Sequence, residues 1–194
     1  MKIERAIISV SNKSGLQAFA TFLETYRVEI LSTGGTRRVL EEMGIETKEI
    51  SSYTGFPEIM DGRVKTLHPL VHGGILALRD KPDHRDAMGR LGILPIDMVV
   101  VNLYPFRDAV SRGCSFEEAI ENIDIGGPAM IRAAAKNFKY VTVICDPEDY
   151  GMVMEDMRRL DGGTSEGLRL QLARKVFELT SAYDRAIFEY LSKG

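Results

Sequence analysis

The sequence predicts an α/β fold in three layers, a mainly parallel sheet flanked by helices, with a C-terminal helical extension. Three observations predict it. Apolar runs of strand length alternate with segments of helical period, the pattern of repeated βαβ units. The chain has 194 residues, which at roughly 150 per domain is one domain over 1–194. A composition of 44% hydrophobic and 27% charged residues is enough for one sizeable core.

The elements follow in order. Strands are expected at Ile3–Val10, Val28–Leu31, Glu46–Ile50, Asp97–Val101 and Tyr140–Cys145, each a short apolar or β-branched run. Helices are expected at Gly15–Glu24, Thr36–Met43, Arg85–Leu91, Phe116–Asn122 and about Pro128–Lys136. Residues 147–191 form the extension, as helices near Pro147–Leu160 and Glu166–Leu191. The last carries Leu168, Leu172, Val176, Leu179, Tyr183, Ile187 and Leu191, one apolar stripe that packs on the domain or on a partner subunit. Between them Asp161-Gly162-Gly163-Thr164 is a loop. The stretch from Ser51 to Ala77 breaks the pattern. It combines glycines and prolines with Arg63, Lys65, Thr66, His68 and His72, a passage of the kind that carries chemistry in α/β proteins.

Composition excludes several classes. With 25 Lys+Arg against 28 Asp+Glu the net charge is −3, which argues against a nucleic-acid binder. No apolar run reaches the roughly 20 residues of a membrane span, and the charged N-terminus does not resemble a signal peptide. Cys114 and Cys145 fit neither a metal motif nor a disulfide framework, so a reduced, cytoplasmic protein is expected.

Neither a P-loop nor a G-x-G-x-x-G fingerprint is present, so any phosphate site is built another way. Thr33-Gly34-Gly35-Thr36 follows a strand and opens a helix. It is either an anion cradle of backbone N–H groups or simply a capped turn. Ser11-Asn12-Lys13 ends the first strand on the same sheet edge, as a second phosphate contact or another turn with a solvated lysine. Arg63-Val64-Lys65-Thr66 projects two cations to one side if extended, and is otherwise an exposed basic turn. His68 and His72 have the spacing of a helical metal pair. Pro69, however, starts a helix that leaves His68 outside, so capping is the better reading and no metal is expected.

Two further segments bear on a substrate. Asn102 and Tyr104 follow Val101 at another strand end, where an amide and a phenol can meet a heteroaromatic base or merely leave the sheet. On one straight helix Asp124 and Lys136 stand about 18 Å apart. If Gly126-Gly127 instead reverses the chain, the two side chains meet as a proton-transfer pair.

S-N-K-S-G at 11–15, S-T-G-G-T at 32–36, T-G-F-P-E at 54–58 and G-R-V-K-T-L-H-P at 62–69 together resemble one family. N-L-Y-P-F at 102–106, D-I-G-G…R-A-A-A-K-N at 124–137 and Tyr183-Asp184 resemble it too. It is the IMP cyclohydrolase domain of the bifunctional AICAR transformylase/IMP cyclohydrolase. The resemblance implies a methylglyoxal-synthase-like fold, no cofactor, and closure of 5-formamidoimidazole-4-carboxamide ribotide to inosine monophosphate (IMP). Carried over by position, it implies a substrate site of Ser11, Asn12, Lys13, Thr33, Gly34, Gly35, Thr36, Arg63, Val64, Lys65, Thr66, Val101, Asn102, Asp124 and Ile125. Lys65, Tyr104, Asp124 and Lys136 resemble the catalytic group, with Lys136 held by Asp124 moving the proton at the attacking nitrogen. Asn102, Asp124 and Ile125 would orient the heterocycle. It further implies a homodimer.

In the family a transformylase domain follows, whereas this sequence stops at Ser192-Lys193-Gly194. The expectation is therefore that the transformylase domain is absent, that folate-dependent transfer is absent with it, and that a separate transformylase protein can supply the substrate. Two rivals share the phosphate pocket: a methylglyoxal synthase, and a regulatory nucleotide-binding module like the one ending carbamoyl-phosphate synthetases.

Overall fold

The computed structural model describes residues 2–104 and 106–192. Among them, five parallel strands form one sheet in the order β3-β2-β1-β4-β5. They are β1 (Arg5–Val10), β2 (Glu29–Ser32), β3 (Lys48–Glu49), β4 (Met98–Asn102) and β5 (Thr142–Ile144). All five expected strands are present, each trimmed at one or both ends. β1 and β4 are almost wholly buried, so they read as continuous apolar runs, as strands covered on both faces do. The three-layer expectation holds, because helices flank this sheet.

Between the strands lie α1 (Leu16–Thr25), α2 (Gly34–Glu42), α5 (Pro82–Leu91), α7 (Phe116–Glu121) and α8 (Gly126–Lys136), within a few residues of the expected spans. The extension is a 3₁₀ turn at Pro147–Asp149, then α9 (Tyr150–Arg159) and α10 (Glu166–Leu191). α4 (Pro69–Leu76) is the helix expected to start at Pro69, and two short helices are new, α3 (Ile50–Thr54) and α6 (Phe106–Ser111). They are too short for a helical period to stand out. α4 does start at Pro69, and the His68 Nδ1 atom caps it by accepting from the Leu70 N–H at 3.2 Å.

The core joins both sides of the sheet. Phe19 and Leu23 of α1, Leu40 of α2, Ile75 of α4 and Ile131 of α8 are fully buried with Ile7, Ile8, Leu31 and Met98 of the strands. α8 packs on β4 and β5, and α10 packs across α8 and β5. The α10 stripe is thus used for packing on the domain, with Leu172, Val176 and Tyr183 buried. Buried Arg169 ties the start of α10 to the sheet by donating to the carbonyls of Phe138, Lys139 and Thr164.

Topology fixes where a ligand belongs. The chain walks outward from β1 through β2 to β3, then returns to place β4 on the other side of β1. Ligands of open α/β sheets bind at such a switch point, outside the carboxyl ends of the strands. Here β1 and β4 end level, with Val10 opposite Asn102, while β2 stops two residues short, with Ser32 opposite Ile8.

Candidate active site

A cleft of about 800 Å³ opens at that switch point, a volume typical of small-ligand sites. Its floor is the ends of β1 and β4, and helix N-termini of α2 and α8 form opposite walls. The segment from Asp61 to Thr66 supplies a third side.

The α2 end is built for an anion. Thr33 is the extended N-cap residue, Gly34 takes a positive φ of 45°, and Cβ atoms added at Gly34 or Gly35 would meet only open space. Backbone N–H groups of the first helical turn are therefore presented to the cleft, where the helix dipole favours negative charge. Lys13 lies beside them. Its Nζ donates to Thr36 Oγ1 at 3.1 Å and to the Val10 carbonyl, and burial pushes its pKa down. The Thr36 hydroxyl is committed to the sheet: it accepts from the Val10 N–H and donates to the Val10 carbonyl, each at 3.0 Å. Thr36 thereby positions Lys13.

Asn102 also works on this loop. Its Oδ1 accepts from the Ser11 N–H at 2.6 Å, the Ser11 hydroxyl at 2.7 Å and the Asn12 N–H at 2.9 Å. Asn102 thereby shapes the 11–12 turn, and it lines the cleft as well. Asn12 does not line the cleft, and its Oδ1 accepts from the Ser14 N–H. Val64 is also outside the lining, bridged to Ile59 at the base of a turn. Val101 and Ile125 line the cleft.

The α8 end brings a carboxylate to the cleft. Asp124 stands one residue before the N-cap Ile125 of that helix, and its Oδ1 accepts from the Gly127 N–H at 2.9 Å. Burial raises its pKa, while that hydrogen bond and the Lys65 charge oppose the rise. Lys65 Nζ stands 3.6 Å from Glu58, and Tyr104 lies at the rim, 61% exposed. Pro105, part of the N-L-Y-P-F motif, lies outside the described residues. Arg63 crosses the mouth and binds Glu121 at 2.7 and 3.2 Å. Thr66 is buried beneath, against the first turn of α8.

One expectation is overturned. Gly126-Gly127 does not reverse the chain: both glycines lie in α8, which runs without a break to Lys136. Eleven residues of helix span about 16 Å. Lys136 is exposed at the far end and absent from the cleft, so Asp124 and Lys136 do not pair. The glycines serve close approach instead. A Cβ on Gly127 would lie 2.3 Å from Asp124 Oδ2, and one on Gly126 would lie 2.8 Å from Thr66 Oγ1.

Glu121 is not among the site residues expected from sequence, and Tyr183 enters there only through the family resemblance and the α10 stripe, with no role at the site. Glu121 looked like one more charge on a helix. Tyr183, whose hydroxyl accepts from the Asp124 N–H at 2.8 Å, is 59 residues away in the chain, and no local spacing signals that contact. Among the described residues no group of three His, Cys, Asp or Glu side chains could hold a metal ion, and no helix is long and apolar enough to cross a membrane.

A family model of the MGS-like domain matches residues 15–129, more than half of the chain. The chain belongs to the MGS-like domain family. Residues 134–194 match a second model, the AICARFT/IMPCHase bienzyme. Relatives include the bifunctional purine biosynthesis protein PurH of Magnetococcus marinus, 59% identical over 98% of this chain. PurH of Rhodospirillum rubrum is 57% identical over 96%. This chain spans 36% of the length of each. The crystal structure of ForH superposes with a TM-score of 0.82 at 36% identity, covering 97% of both chains. The parallel sheet at whose switch point the cleft opens is thus the MGS-like fold, and the MGS-like match contains Thr33–Thr36, Lys65, Tyr104 and Asp124, while Ser11 and Lys13 lie just before it.

Proposed function

We propose that this chain is an IMP cyclohydrolase, closing 5-formamidoimidazole-4-carboxamide ribotide to IMP with release of water. The observation that carries the reading is the division of the cleft: an anion-binding helix terminus at one end, and a half-buried carboxylate with a lysine and a phenol at the other. The PurH relatives and the bienzyme match over 134–194 support the same substrate.

In this reading the 5′-phosphate sits on the Gly34 and Gly35 N–H groups beside Lys13, Ser11 and Thr33, with Arg63 and Thr66 at its edge. The heterocycle lies toward Asp124 and Ile125. Holding the ribotide folded places the carboxamide nitrogen against the formyl carbon, and this orientation supplies much of the rate. A C–N bond then forms as the formyl C=O becomes an oxyanion. Lys65 and Tyr104 stabilise that oxygen and deliver its proton. Asp124 takes the proton from the attacking nitrogen, a task suited to a carboxylate whose pKa burial has raised. The hydroxyl then leaves as water, taking the proton that Asp124 removed, while the former formamide nitrogen gives up its N–H proton to the Lys65–Tyr104 group and the C=N bond of the ring forms. No step is assigned to Lys136.

The reading extends to one cyclohydrolase domain over 1–194 and a homodimer in the cytoplasm, with the formylated substrate supplied by a transformylase activity. The test is incubation with the formylated ribotide, followed by detection of IMP, with and without prior chelation. IMP formation that survives chelation is expected. Methylglyoxal released from dihydroxyacetone phosphate would favour the synthase reading, and IMP binding without turnover would favour a regulatory module.

A further inference from the structure

The wall of the cleft that carries Tyr104, Glu121 and Asp124 is fastened to the long closing helix. Phe106, two residues after Tyr104, meets Tyr183 of α10 edge-on with ring centroids 6.3 Å apart, and Tyr190 at 5.6 Å. Tyr190 in turn stacks at 6.2 Å on Phe116, the first residue of α7, the helix that ends in Glu121. Along this aromatic ladder the Asp124 N–H donates to the Tyr183 hydroxyl at 2.8 Å and so links α10 to the reacting end.

That bond has a partner on the other side of the same residue. The Gly127 N–H holds the Asp124 carboxylate, while the Tyr183 hydroxyl holds the Asp124 peptide. Together they determine both the backbone and the side-chain direction of Asp124 just before α8 begins. Tyr183 is itself only 9% exposed, so without its oxygen the peptide N–H would face ring edges rather than solvent. An N–H left without an acceptor there would shift to find one and would carry the carboxylate with it.

We propose that Tyr183 is a positioning residue of the cyclohydrolase site, holding the Asp124 peptide so that its carboxylate meets the attacking nitrogen. This rests on the reading of the cleft given above. It makes α10 part of the working site, although α10 contributes no atom to the cleft lining.

The test is Tyr183→Phe, which deletes one oxygen and keeps the ring in the ladder. kcat is expected to fall about tenfold, the scale of a sub-ångström misplacement of a reacting group. KM and IMP affinity should stay within about twofold, since the phosphate end is untouched. Tyr190→Phe, a hydroxyl deletion on the same helix, should leave kcat unchanged. In an Asp124→Ala background Tyr183→Phe should cost nothing more, because it acts through Asp124. A ¹³C titration of the Asp124 carboxyl, which needs no turnover, should show a changed pKa in Tyr183→Phe. If the wild-type chain forms no IMP, the cyclohydrolase reading fails, and this titration still decides whether Tyr183 controls Asp124. An unchanged kcat and titration, a lowered Tm with full kcat, or an equal loss in the Asp124→Ala background would each overturn the proposal.

Discussion

Lys13 and Lys65 divide the positive charge of the cleft between its two ends, and their substitutions should therefore fail differently. Lys13 is held against Thr36 at the α2 terminus, so Lys13→Ala removes a charge-assisted contact worth roughly 1.5–3 kcal/mol. IMP affinity should fall roughly ten- to a hundredfold by calorimetry, with kcat little changed. Unchanged affinity would mean that the phosphate lies elsewhere. At the other end, the acid limb of the kcat profile should sit above the ordinary carboxylate range, because burial raises the Asp124 pKa. The Lys65 charge opposes that rise, so Lys65→Met should move the limb to still higher pH. A limb that stays in place would detach Lys65 from Asp124. The same shift has a thermodynamic sign. A carboxyl with a raised folded-state pKa contributes stability while protonated, and loses that contribution as the pH rises through its folded pKa. Asp124→Asn should accordingly raise Tm at neutral pH while leaving only a small, measurable kcat, as functional groups held at a cost to stability do. A lowered Tm would contradict this.

Within single elements, the start of α8 shows what the sequence made legible and what it did not. The D-I-G-G motif marked Asp124 as a site residue, and Asp124 does line the cleft. The reason assigned to the glycines was wrong. A Gly-Gly pair before a proline permits a reversal by its backbone freedom, but it equally permits neighbours to approach a helix that has no Cβ in the way. Only tertiary contacts distinguish the two, and here Asp124 and Thr66 occupy the space. Gly127→Ala should therefore displace the carboxylate and lower kcat about a hundredfold with a smaller effect on KM. Gly35→Ala is the contrast: no protein atom lies near its Cβ position, so Tm should hold while IMP binding weakens, because the phosphate needs that space. Full activity in Gly127→Ala would show that the Asp124 position is unimportant. The Arg63–Glu121 pair belongs to the same scale. Both side chains are 63% exposed, so the pair adds under about 1 kcal/mol of stability. Glu121→Gln should leave Tm unchanged and tighten IMP binding a few-fold by freeing Arg63, as read by titration at low salt. Weaker binding would assign Glu121 to the substrate.

For the whole molecule, strand order was the part of the fold that local pattern could not supply. Five strands and seven helices were legible from apolar runs and periodicity, because each is a local consequence of burial. That β4 returns beside β1 depends on packing across about ninety residues, as does the contact of Asn102 with Ser11 that follows from it. This return creates the switch point beside the 11–13 and 33–36 turns, which the β1–β2 pairing brings to one edge, and the N-termini of α2 and α8 both line the cleft there. The two termini are both anion-attracting, so the orientation of the ribotide between them is the central claim. A crystal structure of the IMP complex tests it most directly. The phosphate oxygens should lie about 3 Å from the Gly34 and Gly35 nitrogens and from Lys13 Nζ, with the purine ring beside Asp124 and Tyr104. A phosphate seated instead on the α8 terminus against Gly126 and Gly127, or IMP bound away from this cleft, would contradict it.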